Sequence, residues 1–214
     1  MNLSGRGVVE NVFMDGRRRE DADGTEMGGI RMKRGHSGEI EIRNTFVAGM
    51  GNNASYASSA GKNGGGNGAV IYDSCYHRDN TVSNYRPGTE GSRIRNCVSI
   101  ANDPDGLRGP YPHSGVRGIR GAWVKSWPDQ RIENCAIYMS PDDVNPNEAV
   151  EVRHFEKSDG PGVEVDIVDT GINPDSPGGF NERSEDDGYA RINTENVHDN
   201  PTVDVLQRGG VPLN

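Results

Sequence analysis

Short runs of alternating apolar and polar residues recur along the chain, each broken by Asn or Asp and resumed by a second apolar run. The pattern stands at Val8-Val9-Glu10-Asn11-Val12-Phe13 and again at Ile40-Glu41-Ile42-Arg43-Asn44-Thr45-Phe46-Val47. Further copies are Val70-Ile71-Tyr72-Asp73-Ser74-Cys75, Ile94-Arg95-Asn96-Cys97-Val98-Ser99-Ile100 and Ile132-Glu133-Asn134-Cys135-Ala136-Ile137. Fainter ones follow at Ile167-Val168-Asp169-Thr170-Gly171-Ile172 and Thr194-Glu195-Asn196-Val197. Alternation with period two predicts strands, and no stretch holds a helical period across a window of about 11 residues. Within most repeats a further strand is expected, at Gly29–Met32, Thr81–Tyr85, Ala122–Lys125 and Ala149–Val152, each followed by a Gly- or Pro-containing turn.

The steps from Asn11 to Asn44, Asp73, Asn96, Asn134, Asp169 and Asn196 are irregular, averaging about 31 residues, within the range of solenoids, propellers and arrays. A drifting period suits a solenoid whose strands stack while its loops vary, and a propeller blade would need four strands per repeat. The pattern therefore predicts an all-β parallel β-helix of about six irregular coils over residues 1–175, with a Gly/Pro/Asp-rich tail or cap over 176–214. The recurring Asn suits a sharp bend in left-handed backbone, and stacked coils would let Asn11, Asn44, Asp73, Asn96 and Asn134 pass hydrogen bonds along a ladder.

Composition refines this picture. Only 32% of the 214 residues are hydrophobic and 30 are Gly, which fits many short strands and turns. Net charge is −9, and the bases are almost all Arg, with lysines only at Lys33, Lys62, Lys125 and Lys157. An acidic, lysine-poor surface resembles those of proteins adapted to high salt, and it argues against nucleic acid as a partner. Cys75, Cys97 and Cys135 make an odd count without metal-ligand spacing, so they read as buried thiols in a row. No run approaches the length of a membrane span, and the N-terminal residues lack a signal-peptide core.

At Ile94-Arg95-Asn96-Cys97 and Ile132-Glu133-Asn134-Cys135 the chain resembles the right-handed parallel β-helix proteins of the pectate-lyase-like superfamily. Gly115–Lys125 followed by Arg131–Cys135 is similar to uncharacterised haloarchaeal β-helix proteins. The resemblance covers residues 8 to 175 and implies a right-handed helix. It carries no single activity, because such folds serve lyases, hydrolases, epimerases, tailspikes and adhesins. Proteins of this kind begin with a cap, whereas a coil-like run already stands at Val8. The expectation is a fragment or an end covered by another subunit, and an extracellular, cell-surface or virion location.

The hydrolases of the superfamily carry Asn-Thr-Asp and Gly-His-Gly signatures. Here Asn44-Thr45 is followed by Phe46, and His36 lies between Gly35 and Ser37. The loop Asn102-Asp103-Pro104-Asp105-Gly106 with Arg108 is the best carboxylate cluster. Asp103 and Asp105 could hold Ca²⁺, and Arg108 or Arg117 could face an acidic sugar. No other cofactor is expected. Among aromatics, Tyr56, Tyr85, Trp123 and Trp127 could line one lateral face; Tyr85 and Trp127 are candidate sugar platforms beside Arg117, while Trp123 reads more readily as core. Two functions follow: a non-catalytic β-helix that binds carbohydrate or assembles with its own subunits or a larger body, and a polysaccharide lyase or glycoside hydrolase acting on an acidic polysaccharide.

Overall fold

The computed structural model describes residues 1–16, 28–102, 119–139, 146–155, 157–173, 179–185 and 187–199. Its strands come in threes. The first cycle holds β1 (Arg6–Glu10), β2 (Phe13–Asp15) and β3 (Ile30–Arg31). The second holds β4 (Glu39–Arg43), β5 (Phe46–Ala48) and β6 (Ser55–Tyr56), and the third β7 (Ala69–Asp73), β8 (Tyr76–Arg78) and β9 (Ser83–Tyr85). The fourth holds β10 (Arg93–Arg95), β11 (Val98–Ala101) and β12 (Ile119–Lys125), and the fifth β13 (Gln130–Glu133), β14 (Ala136–Met139) and β15 (Pro146–His154). The sixth holds β16 (Gly162–Val168), β17 (Gly171–Ile172) and β18 (Phe180–Ser184), before β19 (Tyr189–Glu195). The one described helical turn is a 3-10 segment at Ser58–Gly61.

Each strand pairs in parallel with its counterpart in the next cycle. The first sheet runs β1-β4-β7-β10-β13-β16-β19 and the second β2-β5-β8-β11-β14-β17. The third is a pair, β3-β6, and a four-stranded sheet, β9-β12-β15-β18. Ala54 N–H donates to Ser83 O and Ala57 N–H to Arg86 O, which links the two parts. The molecule is thus all-β, with parallel strands stacked in several sheets, as a β-helix or another solenoid requires. The sheets run on beyond residue 175, since β18 and β19 extend the third and first of them.

Register turns the alternating pattern into columns. Val9, Ile42, Tyr72, Ile94, Ile132 and Ile167 lie side by side across the first sheet. Except for half-buried Val9 they are almost wholly buried. One apolar cluster joins them to Ala122, Val124, Val150 and Val152 of the third sheet, and to Ile137 and Ile172 of the second. Burying a side chain of this size contributes about 1.5–3 kcal/mol. Among the described residues, no helix is long and apolar enough to cross a membrane.

Candidate functional site

The corner between the first and second sheets carries the repeating turn. Asn11, Asn44, Ser74, Asn96, Asn134, Asp169 and Asn196 all adopt left-handed backbone, with φ between 47° and 56°. In the third cycle the bend therefore falls on Ser74, one place beyond Asp73, which ends β7. Each bend donates its N–H to the strand end of the following cycle, from Asn11 to Arg43 O through Asp169 to Glu195 O. Side chains add to this: Asn134 Nδ2 donates to Asn96 Oδ1 at 2.7 Å, and Asn96 Nδ2 to Asp73 Oδ1 at 2.9 Å. Asp73 Oδ1 also accepts from Ser74 Oγ, so Asp73 enters the row from the strand side. Partial burial would raise the Asp73 carboxyl, but hydrogen bonds from Asn96 and Ser74 and the charge of Arg95 hold it below the usual range.

Directly after the bend stand Thr45, Cys75, Cys97, Cys135 and Thr170, one per cycle. Each of the last four turns its Sγ or Oγ1 to the carbonyl two residues back. The three thiols are free and buried. A hydrogen bond with Cys97, together with burial, pushes the Cys75 thiol up, and burial does the same for Cys97. These groups are held protonated and act as small apolar side chains.

The residues expected to meet a ligand separate. Tyr85 is core, only 2% exposed, with its ring 4.3 Å from His77 and its hydroxyl donating to Cys75 O and Val98 O. It cannot offer a face to a surface sugar, because all three residues of β9 are buried. Trp127 is half-buried. It donates Nε1–H to Gly61 O at 3.0 Å, and its ring lies where side chains at Gly61 and Gly160 would sit. That is the contact of a packed wedge. Asp103, Asp105, Arg108 and Arg117 lie outside the described residues. Among the described residues, no group of three or more His, Cys, Asp or Glu side chains is placed to hold a metal.

What the structure does assemble is a row of bases and aromatic rings along the third set of strands. Arg31 stands 5.3 Å from the Tyr56 ring centroid. The Arg86 guanidinium lies between two rings, 4.1 Å from Tyr56 and 4.2 Å from Trp123. Arg120 lies over Trp123 at 4.1 Å. Lys125 Nζ sits between Trp123 and Phe155, at 3.3 Å and 3.5 Å, and Arg153 lies over Phe155 at 4.7 Å. Trp123, expected in the core, is half-exposed, because Ala122 and Val124 take the inward positions on either side of it. Register makes the row: Ala122 and Lys125 stand beside Val150 and Arg153, and Tyr85 beside Ala122. Arg86 and Trp123 thereby become neighbours.

Electrostatically the row is crowded. Arg120 pairs with Glu151 and lies 3.6 Å from Glu148, while Arg153 pairs with Glu185. Burial brings the Arg86 guanidinium down to about 10, so it keeps its charge at neutral pH. Burial and the nearby Arg86 bring the Lys125 amine down to about 4, against a smaller opposing pull from Glu151. Two ring faces favour an ammonium, yet at 2% exposure the loss of water dominates. Lys125 Nζ and Trp123 Nε1 are both buried without a hydrogen-bond partner among the described residues, an arrangement that costs about 1–3 kcal/mol for each orphaned group.

The guanidiniums of such a row can direct forked hydrogen bonds at carboxylates or sulfates, while the faces of Trp123 and Phe155 are taken up by its own cations. Arg120 and Lys125 are buried in it, and Glu148, Glu151 and Glu185 stand among its bases. The chain matches no protein-family model, no curated protein and no solved structure, so its likeness to the pectate-lyase-like superfamily rests on turn residues and strand pattern.

Proposed function

We propose that this chain is a right-handed parallel β-helix of the pectate-lyase-like kind. On this reading it binds an acidic carbohydrate without cleaving it, along the basic–aromatic row of its third set of strands. The observation that carries the reading is Arg86 held between the Tyr56 and Trp123 rings, with Lys125 and Phe155 continuing the alternation. Stacked cycles repeat at about 4.8 Å, so a row of this kind sets guanidiniums and ring edges at intervals along an extended chain of sugars.

The test is titration with polygalacturonate, alginate and uncharged dextran at low and high salt. The acidic polymers should bind and dextran should not, with affinity falling as salt rises. Trp123→Ala and Arg86→Gln should each weaken binding about tenfold, which is about 1.4 kcal/mol, and Trp127→Phe should leave it unchanged. Equal binding of dextran would remove the electrostatic basis of the proposal. Unsaturated products or new reducing ends would replace it with the lyase or hydrolase reading.

A further inference from the structure

Among the described residues, β1 has a neighbouring strand on one side alone. β1 forms one edge of the first sheet, bonded to β4 on its inner side. Glu39 N–H donates to Gly5 O and Asn11 N–H to Arg43 O. Odd-numbered positions therefore turn their backbone groups toward β4. Because successive residues of a strand point their N–H and C=O to opposite sides, Arg6, Val8 and Glu10 direct theirs to the open edge.

An open edge of this kind is a template for another strand, and its side chains select the partner. A second β1 laid antiparallel about Val8 places Val8 opposite Val8 and Arg6 opposite Glu10 at both ends. All three are positions where both backbone groups face outward, as the hydrogen-bonded pairs of an antiparallel ladder require. Arg6 and Glu10 already face Glu39 and Arg43 across β4, so the dimer would extend alternating charge through Glu39, Arg6, Glu10 and Arg43. Val8 is 53% exposed and Phe13, on the neighbouring β2, is 71% exposed; these are the two most exposed large apolar side chains among the described residues.

Head-to-tail stacking is disfavoured by the same columns. Following the register from β1 to β19 brings Glu195 into the column of Glu10. An in-register continuation would set those two carboxylates against each other. We propose that the protein forms a two-fold symmetric dimer through antiparallel pairing of two β1 strands, centred on Val8. A two-fold interface of this type closes on itself and stops at two copies. The proposal does not depend on the carbohydrate reading.

The test is the mass of the full chain in solution, by light scattering or sedimentation across a concentration series, with circular dichroism to follow the fold. The expected species is a dimer. Val8→Pro removes an N–H that points away from β4, so it should keep the fold and weaken the dimer at least about tenfold. Arg6→Glu and Glu10→Arg should each weaken it, and the double swap should restore it. A monomer at every concentration, an open-ended filament, or a dimer indifferent to Val8→Pro would overturn the proposal.

Discussion

The corner between the first two sheets and the row along the third set of strands are built from the same cycles, yet they handle polar groups in opposite ways. At the corner one solution repeats: a left-handed Asn or its substitute, then a thiol or hydroxyl, its hydrogen bonds passed to the next cycle. Along the row the residue changes at every cycle, from Arg31 to Tyr56, Arg86, Trp123 and Phe155, and buried Nζ and Nε1 atoms go unpartnered. A buried base beside each region shows the same contrast. His77 sits against the Asn84 carbonyl at 3.0 Å and stacks on Tyr85, whereas Lys125 has rings on two sides and no acceptor. Repetition with every group satisfied serves folding. A costly arrangement that does not repeat is maintained for something else.

The largest expected effect separates the two regions by stability. Tyr85→Ala empties a core position, so urea unfolding should show a loss of about 3–5 kcal/mol. Trp123→Ala removes a half-exposed ring from the row and should cost less than half as much, its main effect falling on carbohydrate binding. If the two losses are equal, the row is as structural as the core and the contrast fails.

The two buried bases give the next effect. His77 is brought down to about 4 by burial, against a smaller pull from the Asn84 carbonyl, and Lys125 is brought down to about 4 as well. For both groups the folded value lies below the unfolded one, so between the two values the unfolded chain binds the extra proton. Stability therefore falls as pH drops through that window. From about pH 6.5 down to 4 both groups contribute, and from about 10 down to 6.5 only Lys125 does. Each contributes a slope of up to about 1.4 kcal/mol per pH unit. Denaturation midpoints measured across this range should steepen below about pH 6.5. Lys125→Met should flatten the upper segment and raise stability near neutrality, because it replaces an orphaned amine with an apolar chain of similar length. His77→Gln should flatten only the lower segment and should lower stability. A Lys125→Met protein no more stable than the parent would mean that the amine is satisfied after all.

The corner was legible from the chain because its signals are local. Alternation marks β4, β7 and β13, and Asn marks the bend between them. The third cycle slipped by one because Asp73 is the commoner turn residue, while Ser74 takes the left-handed position with its hydroxyl bound to the Asp73 carboxylate. Of the row, only Tyr56 and Trp123 were legible, as rings of one lateral face, and its bases were not. Arg31, Tyr56, Arg86, Trp123 and Phe155 lie 25 to 37 residues apart in the chain, and only strand register aligns them. Trp123 read as core because it lies between Ala122 and Val124. Tyr85 read as surface because nothing in Ser83-Asn84-Tyr85 shows that all three residues are buried.

The smallest effect divides the corner itself into its two ingredients. Asn134 has φ of 49° and donates Nδ2–H to Asn96 at 2.7 Å, so its side chain serves both backbone shape and the ladder. Asn134→Gly keeps the left-handed bend without strain but loses the bond, and should cost about 0.5–1.5 kcal/mol. Asn134→Ala loses the bond and also forces a side chain that disfavours this region, adding about 1–2 kcal/mol. The difference between the two variants, measured by thermal or urea unfolding, isolates the backbone term. The loss in Asn134→Gly, less the entropic cost of glycine, isolates the ladder. If Asn134→Gly is neutral, the Asn row is a set of independent turns that happen to stack, and the contrast with the third set of strands rests on backbone bonds and thiols alone.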